Sequence, residues 1–448
     1  MANFSKSNVP QFSVDVYQNE YLPEGGREVN AIVTVSATGG GTIGSAVAAP
    51  HLYAPGQGPS AAVAIMVDCS GSMDYPPIKM RNARDATAAA IDTLRDGVHF
   101  AVIGGTHVAK EVYPGGGRVA VADATTREQA KQALRRLSAG GGTAIGTWLR
   151  LADRLLSSAD VAIRHGILLT DGRNEHESPE DLRAALDECA GRFTCDARGV
   201  GTDWEVKEVT GIASALLGTA DIVADPTGLA ADFTRMMETA MGKEVADVAL
   251  RLWTPVGTTI RFVKQVAPRV EELTDRRTEA GPRAGDYPTG SWGDESRDYH
   301  VCVEVPAAGI GQEMLAARVS LVVPQPDGSV RNLGAQGLVR AVWTDDMTAS
   351  TSINPQVAHY TGQAELAQAI QKGLDLRKAG DFDGATAKLG RAVQLASASG
   401  NADTAKLLAK VVDVVDAATG TVRLKTKVAE ADEMTLETRS TKTVRVKK

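Results

Sequence analysis

The chain has 448 residues, enough for two to four domains at about 100–200 residues each. It is 43% hydrophobic and 23% charged, an ordinary globular balance. A net charge of −7 and only 4% aromatic residues argue against a general binder of nucleic acid or anionic membrane. No run approaches the roughly 20 apolar residues that span a bilayer. Met1–Pro10 lacks the apolar core of a signal peptide. The sequence therefore predicts a cytoplasmic protein whose cysteines, Cys69, Cys189, Cys195 and Cys302, are reduced. Cys69 is expected to face the core, and Cys189 and Cys195 to be half-buried around a helix-to-strand loop.

Phe12–Tyr17 and Val29–Val35 alternate apolar and polar residues, which predicts two half-buried antiparallel strands with a turn at Gly25-Gly26. Residues 38–60, rich in Gly, Ala, Pro and Ser, predict a loose connection. From Ala61 strands and helices alternate. Ala61–Val67 is an unbroken apolar run, the pattern of a strand buried on both faces in a parallel sheet. Met80, Ala83, Thr87, Ala90, Ile91 and Leu94 recur at helical spacing and predict a helix over Pro77–Arg95. Val98–Gly104 is the next strand, and 108–122 a strand interrupted by a turn at Pro114–Gly117. Helices are expected over Thr126–Leu137 and Thr143–Ser157, and a strand over Val161–Thr170, with His165 at its edge. Ser178 as N-cap, Pro179 and the acids behind it open a further helix. Strands follow at Phe193–Gly201 and Ala220–Ala224, helices at Trp204–Leu217 and Gly228–Met241. This alternation implies a parallel sheet with right-handed crossovers.

After Lys243 period two returns. Val245–Trp253, Thr259–Val266, Tyr299–Val305, Ala316–Val323 and Leu338–Trp343 predict antiparallel strands, and 272–298 a long exposed loop. With the N-terminal strands they make one β-sandwich, into which the α/β domain is inserted. Residues 355–418 carry three helical stripes: Leu366, Ile370 and Leu374; Ala385, Leu389, Ala392 and Leu395; Leu408, Val411, Val412 and Val415. They fit either a small helical bundle or a tetratricopeptide-like hairpin turning at 378–385. Residues 419–448 are polar and predict a flexible tail whose Thr435, Thr438, Ser440, Thr441 and Thr443 are candidates for phosphorylation.

The central strand ends in Asp68-Cys-Ser-Gly-Ser72. One carboxylate and two hydroxyls at the carboxyl end of a buried parallel strand form a hard oxygen cluster, at the place where open α/β sheets put their sites. That donor chemistry suits Mg²⁺, with Mn²⁺ as the alternative. The stretch resembles the metal-ion-dependent adhesion site of von Willebrand factor A domains, whose first loop is Asp-x-Ser-x-Ser. The family's two further pieces match Thr143, in the loop Gly140–Gly146, and Asp171, closing Ile167–Asp171. The resemblance covers residues 60–243 and implies a Rossmann-like sheet with one antiparallel edge strand. It also implies a metal set of Asp68, Ser70, Ser72, Thr143 and Asp171. The hydroxyls would be direct ligands; the two acids would supply charge, directly or through water.

Few direct negative ligands leave such an ion under-neutralised, so a carboxylate from outside completes its shell. The resemblance thus implies a metal-dependent protein-binding scaffold, not an enzyme, whose partner presents Asp or Glu to the metal. Tyr75, Arg173 and Glu175 would set specificity. Cytosolic bacterial relatives point either to ATP-driven chaperone-type machines or to stress and signalling systems with kinases and phosphopeptide readers. The alternative is a Mg²⁺-dependent phosphatase or nuclease-like hydrolase, which needs a nucleophile or base and a cation for phosphate. Asp74, Lys79 and His176 are weak candidates for those roles, and there is no P-loop and no Ser/His/Asp spacing.

Overall fold

The computed structural model describes residues 10–38, 60–325 and 327–446. The expectations for Met1–Pro10 and for 38–60 fall, apart from their end residues, outside these. The described chain divides into two compact units, one built on the middle of the sequence and one on what flanks it. It begins in the flanking unit with β1 (Gln11–Gln18), β2 (Tyr21–Leu22) and β3 (Glu28–Thr38).

The α/β unit follows. Its elements are β4 (Ala61–Asp68), α1 (Ile78–Thr93), β5 (His99–Gly105), β6 (Ala109–Tyr113), β7 (Ala120–Val121), α2 (Ala124–Leu134) and α3 (Ile145–Leu156). Then come β8 (Ile163–Thr170), α4 (Pro179–Cys189), β9 (Thr194–Val200), α5 (Val206–Ala215), β10 (Ala220–Val223) and α6 (Leu229–Met241). The sheet order is β10-β9-β8-β4-β5-β6, with β7 also on β5. All of these pairs are parallel except those of β6 and β7 with β5. Every residue of β4 is buried, as its apolar run requires. Strand order reverses beside β4: the chain leaves it through α1 to β5 on one side and returns to β8 on the other. At such a switch point the loops at the strand ends diverge and leave room for a site. One face of the sheet is covered by α1 and α6, through Met80, Ala83, Ile91, Phe233 and Met237. α3 buries Trp148 so closely on Gly105 that a Cβ there would lie 2.3 Å from the indole. His165 is not at an edge. It is buried in β8 and held between Thr194 Oγ1 and Asp196, both at 2.9 Å, because β9 lies outside β8 and covers it. All four cysteines are free and buried; Cys189 and Cys195 flank the helix-to-strand loop as expected, at the end of α4 and in β9, but are fully rather than half buried because both face the core.

The chain then completes the flanking unit with β11 (Val245–Trp253), β12 (Thr259–Ala267), β13 (Glu271–Glu272), β14 (Thr278–Gly281), β15 (Ala284–Trp292), β16 (Glu295–Glu304), β17 (Glu313–Pro324) and β18 (Val330–Trp343). One sheet runs β1-β3-β16-β12-β13 and the other β14-β15-β11-β17-β18-β2. The N-terminal β3 pairs along its length with β16, so strands from both sides of the α/β unit share one sheet. The two sheets face each other closely: a Cβ on Gly337 of β18 would lie 2.6 Å from Val16 and 2.8 Å from Val14 of β1. The expected loop at 272–298 is instead mostly strand. Its Gly, Arg and Pro residues hide the alternation, yet Tyr287 and Trp292 are buried and Asp286 is paired with Arg251 at 2.7 Å.

The remaining elements are α7 (Met347–Thr351), α8 (Pro355–Lys378), α9 (Phe382–Ser399), α10 (Ala402–Val411), β19 (Val412–Asp416), β20 (Thr421–Leu424) and α11 (Glu430–Arg439). α8 docks on the first sheet through Val357 and Tyr360, which join Ile32, Val266 and Ala267. The Tyr360 hydroxyl donates to Asp298 at 2.5 Å. The α8–α9 turn uses Gly380 at positive φ and Asp381 as N-cap, accepting from Gly384 N. The third helix stops at Val411, and Val412 starts a hairpin strand, as its β-branched run favours. The flexible tail expected over 419–448 is overturned through Val446: β20 closes that hairpin and α11 buries Leu436 among Leu366, Ile370 and Leu408. Thr438 and Ser440 are buried too, and Thr443 donates to Val266 O, so these hydroxyls are not presented for modification.

Candidate metal centre

The site forms where β4 and β8 end. Asp68 is the last residue of β4. Its Oδ1 accepts from Ser70 N at 2.8 Å, and its Oδ2 accepts from Thr170 Oγ1 at 2.7 Å. These bonds fold the Asp68–Ser72 turn back over the strand end. They leave Ser70 Oγ 2.9 Å from Ser72 Oγ, which donates to Asp171 Oδ1 at 2.7 Å. Thr143 arrives from the Gly-rich loop. Gly141 holds positive φ, and its carbonyl accepts from Gly71 N at 2.9 Å, tying that loop to the serine turn.

The convergence is visible at Gly172. A Cβ built there would lie 3.0 Å from Ser72 Oγ, 3.6 Å from Thr143 Oγ1 and 3.9 Å from Ser70 Oγ. Three hydroxyls thus surround one point, flanked by two buried carboxylates. All five residues expected from the sequence are gathered here. Among the described residues no group of three His, Cys, Asp or Glu side chains is placed to hold a metal, so any ion at this point would depend on the hydroxyls. Hydroxyl and carboxylate oxygens are donors for Mg²⁺ or Mn²⁺ rather than for softer ions. Burial pushes the Asp68 pKa up to about 6 against the bonds from Ser70 and Thr170, and the charge of Asp171 adds to the rise. The pocket is short of positive charge.

One cation is supplied by the chain itself. Lys79, at the start of α1, places Nζ 2.7 Å from Asp171 Oδ2 and 3.5 Å from Asp203. Burial disfavours its charge, but the bond and charge of Asp171 outweigh this and hold its pKa above the ordinary lysine value. The sequence offered Lys79 only as a weak phosphate ligand. Its contact with Asp171 joins residues 92 apart, and no local spacing signals it.

Three further residues brace the loops: Asn174 and Glu177, which no sequence signal marks, and His176, which the sequence offers only as a weak catalytic candidate. Asn174 Oδ1 accepts from Ile145 N and Glu177 Oε1 from Gly146 N, each at 2.7 Å, capping α3 from another loop. That satisfies free amides at the positive end of the helix and fixes Thr143 two residues before it. His176 accepts from Thr143 N through Nδ1 at 3.2 Å, and its ring fills space that any side chain on Gly142 would need. Cys69 points away into the core, with burial pushing its thiol up to about 12. Tyr75, Arg173 and Glu175 are exposed beside the loops.

The profile of the von Willebrand factor type A domain matches residues 61–222, and that of the von Willebrand factor type A C-terminal domain matches 394–440. The chain is similar to a von Willebrand factor type A protein from Catenulispora acidiphila, with 53% identity over 99% of each chain and a TM-score of 0.90. It shares its fold with the ArnB paralog VWA2 from Sulfolobus acidocaldarius, at 13% identity over 96% of this chain and 98% of that one, TM-score 0.58. No curated protein matches. Its loops, its sheet and its similarity along the whole length agree: the chain belongs to the von Willebrand factor type A family.

Proposed function

We propose that this chain is a metal-dependent protein-binding scaffold. The observation that carries the reading is the convergence of Ser70, Ser72 and Thr143 hydroxyls around one point beside Asp68 and Asp171. In this reading the three hydroxyls hold Mg²⁺, or Mn²⁺, while the two acids contribute charge. The ion supplies Lewis acidity, and an Asp or Glu of the partner binds to it. Family membership supports a role in protein interaction. The partner system, chaperone-type or stress signalling, and a cytoplasmic location are part of the proposal. Among the described residues no helix is long and apolar enough to cross a membrane.

The scaffold reading includes no turnover. The hydrolase alternative needs a free base, and His176, the weak candidate for it, has Nδ1 engaged by Thr143 N. The test is thermal unfolding of the whole chain with and without Mg²⁺. A ligand specific for the folded state stabilises it by about 2.7 kcal/mol at a hundredfold excess over Kd. The wild type should shift upward and Asp68→Ala much less; equal shifts would refute the site. Phosphate release from phosphoester substrates would refute the non-catalytic reading.

A further inference from the structure

We propose that a cavity beside the metal loops receives a second acidic side chain of the partner, so that the chain recognises a pair of acids rather than one. The first acid rests on the metal reading above; the second has its own geometry.

The cavity measures about 570 Å³ and is bounded by the ends of β5 and β6, the end of α2 and the loop Ser138–Gly141. Its buried and half-buried lining includes an apolar wall of Cys69, Val112 and Leu137, beside Thr106 and Glu111. Its exposed lining is basic, with Lys110 from β6 and Arg136 from beyond α2, next to His107. Neither Lys110 nor Arg136 meets a carboxylate among the described residues. On α2 itself Arg127 and Lys131 are paired with Asp96 and Asp92. Glu111 is the one acid lining the cavity, and it is turned to accept from Gly117 N at 2.9 Å. On a chain of net charge −7, a pocket with uncompensated cations is a local exception. An apolar wall ending in two cations suits a side chain with a methylene stem and an acidic head, and so glutamate above aspartate.

The cavity and the metal set share one backbone wall. Gly140 N donates to Cys69 O at 2.8 Å and Gly71 N to Gly141 O at 2.9 Å. Cys69, buried with the core, borders the cavity, while the hydroxyl of its neighbour Ser70 lies 2.9 Å from Ser72 Oγ. Gly141 has positive φ, and a Cβ on it would lie 2.9 Å from His107 Nδ1, so glycine lets the rim close onto the loop. An extended peptide rises about 3.3 Å per residue, so the separation of the two places would be read out as one preferred spacing of the two acids.

The test uses an array of Gly/Ala peptides carrying one Glu, or two Glu at spacings of one to five residues, probed with the purified full chain in Mg²⁺. The expected result is about tenfold stronger capture of paired-acid peptides at one preferred spacing. Lys110→Gln/Arg136→Gln should fall to the single-acid level and still keep the Mg²⁺-dependent capture. Arg154→Gln/Arg183→Gln removes equal charge elsewhere on the unit and should behave as wild type. Equal capture of single and paired acids by the wild type would overturn this inference and leave the metal reading standing. Paired-acid capture that survives chelator but is lost in Lys110→Gln/Arg136→Gln would support the cavity and overturn the metal reading. Capture that falls equally in both double variants would reduce the effect to net charge and overturn the inference.

Discussion

Lys79 Nζ lies 2.7 Å from Asp171 Oδ2, with the lysine side chain 10% exposed and the carboxylate fully buried. The ammonium therefore does for Asp171 what a metal ion would do. In the proposed metal-bound state the two cations would compete for one carboxylate, with Asp203, 3.5 Å from the same nitrogen, as a second partner for the lysine.

Removing this lysine should separate the two roles. Without metal, Lys79→Met leaves a buried carboxylate unpaired, a change that typically costs about 3–5 kcal/mol. With Mg²⁺ the competitor is gone, and affinity should rise about tenfold, or about 1.4 kcal/mol. Thermal unfolding should show a lower Tm than wild type in chelator and a larger Mg²⁺ shift; titration calorimetry measures the affinity. An unchanged shift would mean that Lys79 and the ion do not share Asp171.

Gly172 tests the convergence of the hydroxyls. Its backbone suits any residue, but a Cβ would lie 3.0 Å from Ser72 Oγ. Gly172→Ala should cost about 1 kcal/mol of stability as an overpacked site and lower Mg²⁺ affinity about tenfold or more. Metal affinity equal to wild type would place the ion elsewhere.

His300 gives the flanking unit a pH dependence. It is buried in β16, its ring edge-on to Phe262 at 4.9 Å, with Nε2 donating to Asn30 Oδ1 at 2.8 Å. Burial, aided by the charge of Lys264, lowers its pKa from 6.5 to about 4. The unfolded chain then binds a proton that the folded chain refuses. The stability from neutral His300 is complete above pH 6.5 and is lost as pH falls toward 4, by at most about 3 kcal/mol. Urea titrations across that window should show the slope, and His300→Gln should flatten it.

The parts of this protein that could be read from sequence are those with local grammar. Ala61–Asp68 announces itself as a doubly buried strand, and Ser178-Pro179 as a helix start; the structure adds Asp181 to complete a capping box there. The convergence of Asp68, Ser70, Ser72, Thr143 and Asp171 was legible because each closes or follows a recognisable element. Lys79, Asn174 and Glu177 were not, because their partners lie 92, 29 and 31 residues away and belong to other loops. β15 was missed for another reason: Gly, Pro and Asp interrupt its alternation, and Asp286 is tolerated inside only because Arg251 grips both its oxygens.

The C-terminal segment fails the same way, and it can be tested sharply. Residues 425–446 are polar in composition, so hydropathy alone suggests a tail. Yet α11 needs only one deeply placed apolar face to dock. Leu436 is fully buried in the cluster with Leu366, Ile370, Leu389, Leu408 and Val411, and Lys378 pairs with Glu437 at 2.7 Å beside it. A leucine in such a core costs about 2–5 kcal/mol when cut to alanine, because the cavity cannot fully collapse. The same change in a solvated tail stays within about 0.5 kcal/mol. Leu436→Ala should therefore lower the unfolding free energy of the flanking unit, obtained from chemical unfolding, by an amount in the first range. Thr435→Ala, on the same helix with its hydroxyl bonded only to Ala431 O, should change it far less. Equal and negligible effects of the two substitutions would return residues 425–446 to the status of a tail.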